Sequence, residues 1–164
     1  MKFITVCLAV LLVTLSGCLK KDIGCSYSIQ NIVAPSSEEQ AILTFLAANT
    51  ITATKHGSNM YYEVILPGTG TVTPGLCSNI LIKYEGKLTS GTIFDSQNSQ
   101  IFTLGTLIEA WKVGIPLIKK GGRIRLYVPP SLGYGNKDIK DGTGAVIIPA
   151  SSILIFDITL NDVQ

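Results

Sequence analysis

The chain has 164 residues, 46% of them hydrophobic and 15% charged, with a mean hydropathy of +0.40 and a formal charge of +2. That length supports one domain of roughly 100–150 residues with its own core, so folding requires neither disulfides nor metals. The apolar excess gathers near the N-terminus and no basic stripe remains, which excludes a polytopic membrane protein and a nucleic-acid binder.

Lys2 precedes an apolar run from Phe3 to Leu15, the form of a secretory signal and too short for a spanning helix of about 20 residues. The run ends in Leu15-Ser16-Gly17-Cys18, which resembles a bacterial lipoprotein processing box. Small residues there admit a peptidase, and the Cys18 thiol is the nucleophile suited to carrying a diacylglycerol. Residues 1–17 are therefore expected to be a signal peptide, with the mature chain anchored to the cell-envelope membrane through Cys18. Removal of Cys7 and lipidation of Cys18 leave Cys25 and Cys77, which export would oxidise to a disulfide. The alternative is two separate buried thiols.

Residues 18–60 read as a tether and a short helical extension. Leu19-Lys20-Lys21-Asp22 begins a polar tether that runs to Pro35. Ser36-Ser37-Glu38-Glu39 has the form of a capping box, and Ile42, Phe45 and Leu46 follow at helical spacing up to Asn49. Thr50 to Asn59 reads as a connector, with His56 an ordinary loop residue far from any metal-ligating cluster.

From Tyr61 the periodicity changes to two. Tyr61–Leu66 is a strand bounded by Pro67-Gly68-Thr69-Gly70, and Ile80, Ile82, Tyr84 and Leu88 alternate with polar or outward positions. Short strands are expected at Thr92–Asp95 and Ile101–Leu104, and one or two helical turns at Leu107–Val113. Ile124, Leu126 and Val128 form the next buried stripe, stopped by Pro129-Pro130. A Gly-rich loop spans Ser131 to Ser152. Leu154, Phe156, Ile158 and Leu160 complete the pattern. Many strands with one short helix argue for an α+β fold, an antiparallel sheet wrapped on a helix. Ile153, Ile155 and Leu81 would leave an apolar patch on the other face, which the helix bearing Ile42, Phe45 and Leu46 is expected to cover, pinned by Cys25–Cys77.

No nucleophile motif, zinc spacing or phosphate loop occurs, so no metal or cofactor is expected. What stands out is a set of aromatics at strand ends: Tyr84, Phe94, Phe102, Trp111, Tyr134 and Phe156. Such a set taken alone is more often core than ligand site. The words around it are specific. Lys83-Tyr84-Glu85-Gly86-Lys87-Leu88 and Gly91-Thr92-Ile93-Phe94-Asp95-Ser96 resemble the opening of FKBP-type peptidyl-prolyl isomerases. Phe102-Thr103-Leu104-Gly105 with Leu107-Ile108-Glu109-Ala110-Trp111 is similar to their Phe-x-Leu-Gly…Trp segment. Leu132-Gly133-Tyr134-Gly135, Ile147-Ile148-Pro149-Ala150 and Leu154-Ile155-Phe156-Asp157 complete the series in order over residues 61–164.

The resemblance implies an FKBP-like half-barrel of five or six strands around one short helix, with a shallow apolar pocket that accelerates X–Pro isomerisation in exported proteins. It implies Trp111 as the floor, with Tyr84, Phe94, Phe102, Leu107, Ile108, Ile147, Ile148, Tyr134 and Phe156 around it. The Ile108 N–H and the Tyr134 hydroxyl would hold substrate carbonyls, and Asp95 would orient Tyr84. Expected partners are X–Pro segments of client polypeptides and macrolide inhibitors, with the chain a monomer. A proline-binding or chaperone module with little turnover would use the same walls. Three departures stand out: Gln100 would open one wall, Glu109 would add a carboxylate at the rim, and Ala150 replaces a proline. The loop from Gly135 to Ala145, with Lys137, Asp138, Lys140 and Asp141, would be the flap that meets the substrate chain.

Overall fold

The computed structural model describes residues 24–164, so Cys18 and the signal segment lie outside the described residues. Eight strands and two α-helices follow one another as α1 (Ser36–Ala48), β1 (Thr54–Lys55), β2 (Tyr61–Leu66), β3 (Asn79–Leu88), β4 (Ile93–Thr103), α2 (Glu109–Gly114), β5 (Arg123–Val128), β6 (Ile139–Lys140), β7 (Val146–Ile148) and β8 (Leu154–Val163). Six strands form one antiparallel sheet in the order β1-β2-β5-β8-β3-β4, while β6 and β7 form a separate hairpin. The fold is thus α+β, a curved antiparallel sheet wrapped on the short helix α2.

Alternation within β3, β5 and β8 decides what each face carries. Ile80, Ile82, Ile124, Leu126, Ile158 and Leu160 point inward and are fully buried with Leu104, Ile115 and Ile118 from the α2 region. At about 25 cal/mol per Å² of apolar area removed from water, this cluster is the principal stabiliser. Gly86 is a packing requirement of the same face. A Cβ there would lie 2.7 Å from Phe94 Cζ and 2.8 Å from Phe156 Cε1, so any larger residue would displace the rings.

On the outer face α1 lays Ile42 and Leu46 on Tyr61, Tyr127 and Ile155, with Phe45 and Ile153 beside them. The Phe45 and Tyr127 ring centroids are 6.2 Å apart. The expected cover is therefore present over Ile153 and Ile155. Leu81 is not under it, because β8 lies between β3 and β5 and carries Leu81 away from α1.

Several local expectations change. Ser36 does not cap α1: Pro35 is the N-cap, its carbonyl accepting the Glu38 and Glu39 N–H groups, and no side chain caps the helix. The two glutamates instead reach across the fold. Glu38 accepts the Ser131 N–H at 3.0 Å and hydroxyl at 2.8 Å, while Glu39 accepts the Tyr61 hydroxyl at 2.9 Å and pairs with Lys55. In place of two strands at 92–95 and 101–104 there is one continuous β4, Ile93–Thr103, because β3 pairs with it nearly throughout, over two register shifts. The Gly-rich loop contains the β6–β7 hairpin, whose turn Asp141 closes by accepting the Thr143 and Ala145 N–H groups. The connector holds β1, paired with β2, and His56 Nδ1 lies 2.8 Å from Ser58 Oγ within that loop.

Cys25 and Cys77 form a disulfide with Cα atoms 5.7 Å apart. It does not hold α1. It joins residue 25 to the loop before β3, and residues 24–34 run from there as a strap without regular secondary structure. The Ala34 N–H at the strap's far end donates to Ser58 O at 3.0 Å.

Candidate active site

Tyr84 and Phe156 lie on the inward stripes of adjacent strands, β3 and β8, which are in register where Gly86 faces Phe156. β4 contributes Phe102 and Asp95 from the sheet edge. The turn after β4 delivers Leu107 and Ile108, and α2 supplies Trp111. These side chains, with Tyr134 from the loop after β5, surround one cavity of about 210 Å³.

Trp111 is 4% exposed and meets three rings edge-on. Its centroid lies 5.1 Å from Tyr84, 5.1 Å from Phe156 and 6.3 Å from Phe102, at interplanar angles of 78°, 88° and 82°. Edge-to-face contacts suit the aromatic quadrupole and hold the indole in one orientation. The result is a rigid apolar floor. Its Nε1–H is buried and has no acceptor among the described residues.

The polar groups gather on the rim. Tyr84 donates its hydroxyl proton to Asp95 Oδ2 at 2.6 Å. Burial and then this hydrogen bond push the Tyr84 pKa well above its ordinary value, so the phenol stays neutral. Burial, with the Asp95 charge second, raises Tyr134 in the same direction. The Tyr134 hydroxyl makes no hydrogen bond among the described residues, and neither does the Ile108 N–H. Ile108 is the N-cap of α2, with φ −60° and ψ 154°, so its amide precedes the helical ladder. The site therefore offers two donors above an aromatic floor, and no nucleophile.

Of the residues expected around the pocket, Tyr84, Asp95, Phe102, Leu107, Ile108, Trp111, Tyr134 and Phe156 line the cavity. Phe94, Ile147 and Ile148 are set back from it. Phe94 stacks edge-on against Phe156 with centroids 5.6 Å apart, so it supports a wall from behind. Ile148 is buried in the inner core and Ile147 packs against that core.

The three departures lie in different surroundings. Gln100 is exposed on β4 and contributes no side chain to the cavity lining. Glu109 is not at the rim. It is buried on the other side of α2, where it accepts the Gln30 N–H. Ala150 donates its N–H to Asp138 Oδ1 at 2.8 Å, a bond that proline could not make, and so ties the turn after β7 to the flap.

A larger hollow, of about 400 Å³, lies on the outer face among Lys83, Glu85, Lys87, Arg123, Arg125 and Asp157. Tyr84 is the one aromatic in its otherwise polar lining, and its Arg and Asp groups already pair with one another. Among the described residues no group of three His, Cys, Asp or Glu side chains could hold a metal ion. No helix among them is long and apolar enough to cross a membrane.

Residues 70–161 match the family model described as FKBP-type peptidyl-prolyl cis-trans isomerase. A Buchnera aphidicola (subsp. Schizaphis graminum) protein, the FKBP-type peptidyl-prolyl cis-trans isomerase FkpA, is 39% identical over 114 residues, covering 67% of this chain and 43% of the relative. FkpA of Escherichia coli K12 is 34% identical over 111 residues, 65% of this chain and 38% of that protein. This chain thus matches less than half the length of these curated relatives. The crystal structure of E. coli FkpA superposes with a TM-score of 0.65 at 29% identity, over 79% of this chain and 58% of that one. A peptidyl-prolyl cis-trans isomerase from Pseudomonas syringae pv. tomato gives a TM-score of 0.66 at 27% identity, over 80% of this chain and 97% of that one. The family match begins after β2, so the strap and α1 lie outside it.

Proposed function

The chain belongs to the FKBP-type peptidyl-prolyl cis-trans isomerase family, and from that premise we propose that it accelerates rotation about X–Pro bonds in exported polypeptides. The observation that carries this reading is the cavity floored by Trp111, with the Ile108 N–H and Tyr134 hydroxyl at its rim and without hydrogen bonds of their own.

Rotation about an X–Pro bond faces a barrier of about 18–20 kcal/mol, because the amide must lose its resonance. No bond breaks, so no nucleophile is needed. The twisted amide separates less charge than the planar one, and an apolar cavity therefore disfavours the planar ground state more strongly. In this reading the prolyl ring rests on the indole. The Ile108 N–H holds the carbonyl before proline, and the Tyr134 hydroxyl holds a second carbonyl of the same chain. Asp95 orients Tyr84 and presents negative charge beside the reacting amide. Groups held in place before the reaction need no reorganisation as the amide turns.

The same reading places the chain in the cell envelope, tethered by a diacylglycerol on Cys18. The signal-like run, the Leu15-Ser16-Gly17-Cys18 box and the Cys25–Cys77 disulfide support it. Macrolide inhibitors would compete for the cavity, and the chain would act as a monomer. A protease-free assay on short X–Pro peptides tests the activity. The expected outcome is saturable acceleration abolished by a macrolide. Macrolide binding without acceleration would instead mark a proline-binding module. Loss of labelled fatty acid in Cys18→Ala tests the anchor, and equal labelling of both chains would remove it.

A further inference from the structure

The strap from Cys25 to Ala34 lies outside the family match, yet it touches the turn that presents Ile108. Tyr27 lays its ring over Gly105 so closely that a Cβ at that position would collide with it. Further along, the Gln30 N–H donates to Glu109 Oε1 at 2.6 Å. The other carboxylate oxygen accepts Lys112 Nζ at 3.3 Å. Glu109 is only 8% exposed. Withdrawing a carboxylate from water is costly, and here the compensating partners are a strap amide and one lysine.

The opposite side of the turn is also held. The Gly105 N–H donates to Leu76 O at 2.7 Å and the Leu104 N–H to Ser78 O at 3.1 Å. Leu76 and Ser78 flank Cys77, which is bonded to Cys25. Residues 104–109 are thus gripped between two segments that a single covalent link joins. Ile108 makes no hydrogen bond through its own N–H, so its neighbours determine where that donor points.

We propose that Glu109 is a positioning residue for the Ile108 amide, acting through the Gln30 N–H, and that the strap thereby sets the affinity of the cavity for its substrate. This rests on the isomerase reading. A charge-assisted bond to a backbone amide fixes the first residue of α2, and Ile108 immediately precedes it. Glu109 touches no substrate; its effect reaches the site through the turn.

The test uses the full chain with its disulfide intact, and kinetics on one X–Pro tetrapeptide. Glu109→Ala and Gln30→Pro each remove one end of the bond. Each should raise KM about fivefold with kcat within about twofold, and the double variant should be no worse than either alone. Glu109→Gln keeps an acceptor oxygen and should restore most of the affinity. Glu39→Ala, which loosens the α1 face, should lower the melting temperature without raising KM. An unchanged KM in folded Gln30→Pro, or additive losses in the double variant, would overturn the proposal while leaving the isomerase reading intact. If the wild-type chain shows no turnover, the isomerase reading fails by itself. The amide ¹⁵N shift of Ile108 then decides about the strap: movement in Gln30→Pro supports it and an unmoved resonance ends it. Because Gln30→Pro leaves the Glu109 side chain in place, the test survives if Glu109→Ala fails to fold.

Discussion

On the inner face of the sheet, Ile80, Ile82, Ile124, Leu126, Ile158 and Leu160 are fully buried. On the outer face of the sheet α1 covers Tyr61, Tyr127 and Ile155, and the rest carries Arg123, Arg125 and Asp157. Both faces bury apolar surface, but they finish differently. The outer cluster is closed by the chain's own Ile42, Leu46 and Phe45. The inner face ends in a cavity where Trp111, Tyr84 and Phe156 meet edge-on and leave about 210 Å³ open. Filled apolar space stabilises the fold. Apolar space left open, with donors on its rim, is what a proline ring can enter.

If that division is right, changes on the two sides should separate stability from activity. The largest effect should come from the covalent link. Opening Cys25–Cys77, whose residues are 52 apart in sequence, should cost up to about 4 kcal/mol by chain entropy, read as a fall in denaturation midpoint. Ile42→Ala should follow, with a loss of about 2–4 kcal/mol in urea melts and unchanged kcat/KM, since α1 faces away from the cavity. A matching loss of activity would show that the two faces are coupled. Trp111→Leu should act the other way, lowering kcat/KM by at least about tenfold, on the order of 1.4 kcal/mol of transition-state binding. An unaltered rate in a folded Trp111→Leu chain would remove the indole from the mechanism.

The smallest effects concern pH. Burial works against ionised Asp157, but its bonds to Arg123 and Arg125 outweigh this and hold its pKa below the usual carboxylate value. Its contribution to stability should be complete above about pH 4 and fade as the pH falls through the lower folded value. Asp157→Asn should flatten that acid limb of a stability–pH curve. In the cavity both Tyr84 and Tyr134 are shifted upward from an already alkaline value. Their hydroxyls remain protonated, so turnover should be level between about pH 6 and pH 9. A fall within that window would mean that some other group titrates in the site.

The strands and the aromatic positions were legible because each depends on local information. Ile124, Leu126 and Val128 announce a buried face by alternation alone, and Phe102 to Trp111 form a compact word. Legibility failed where a group's partner is remote. Glu38 and Glu39 have the spacing of a capping box, yet Ser131 and Tyr61 claim them across 93 and 22 residues of sequence. Glu109 looks like a rim carboxylate from its place beside Ile108, but Gln30, 79 residues away, holds it on the far side of α2. The split expected in β4 has the same origin. Its polar centre lacks an alternating pattern, and only pairing with β3 keeps it extended.

Periodicity and turn chemistry by themselves determined that this chain builds an antiparallel sheet on a short helix, and the resemblance of the words around Tyr84 and Trp111 to the FKBP family implied the aromatic hollow. Tertiary structure alone decided which rings face the hollow, which stand behind it, and where each buried carboxylate finds its donor. Alternation along a strand is set by the geometry of the backbone. The choice of hydrogen-bond partner is settled only when distant segments compete for the same desolvated oxygen.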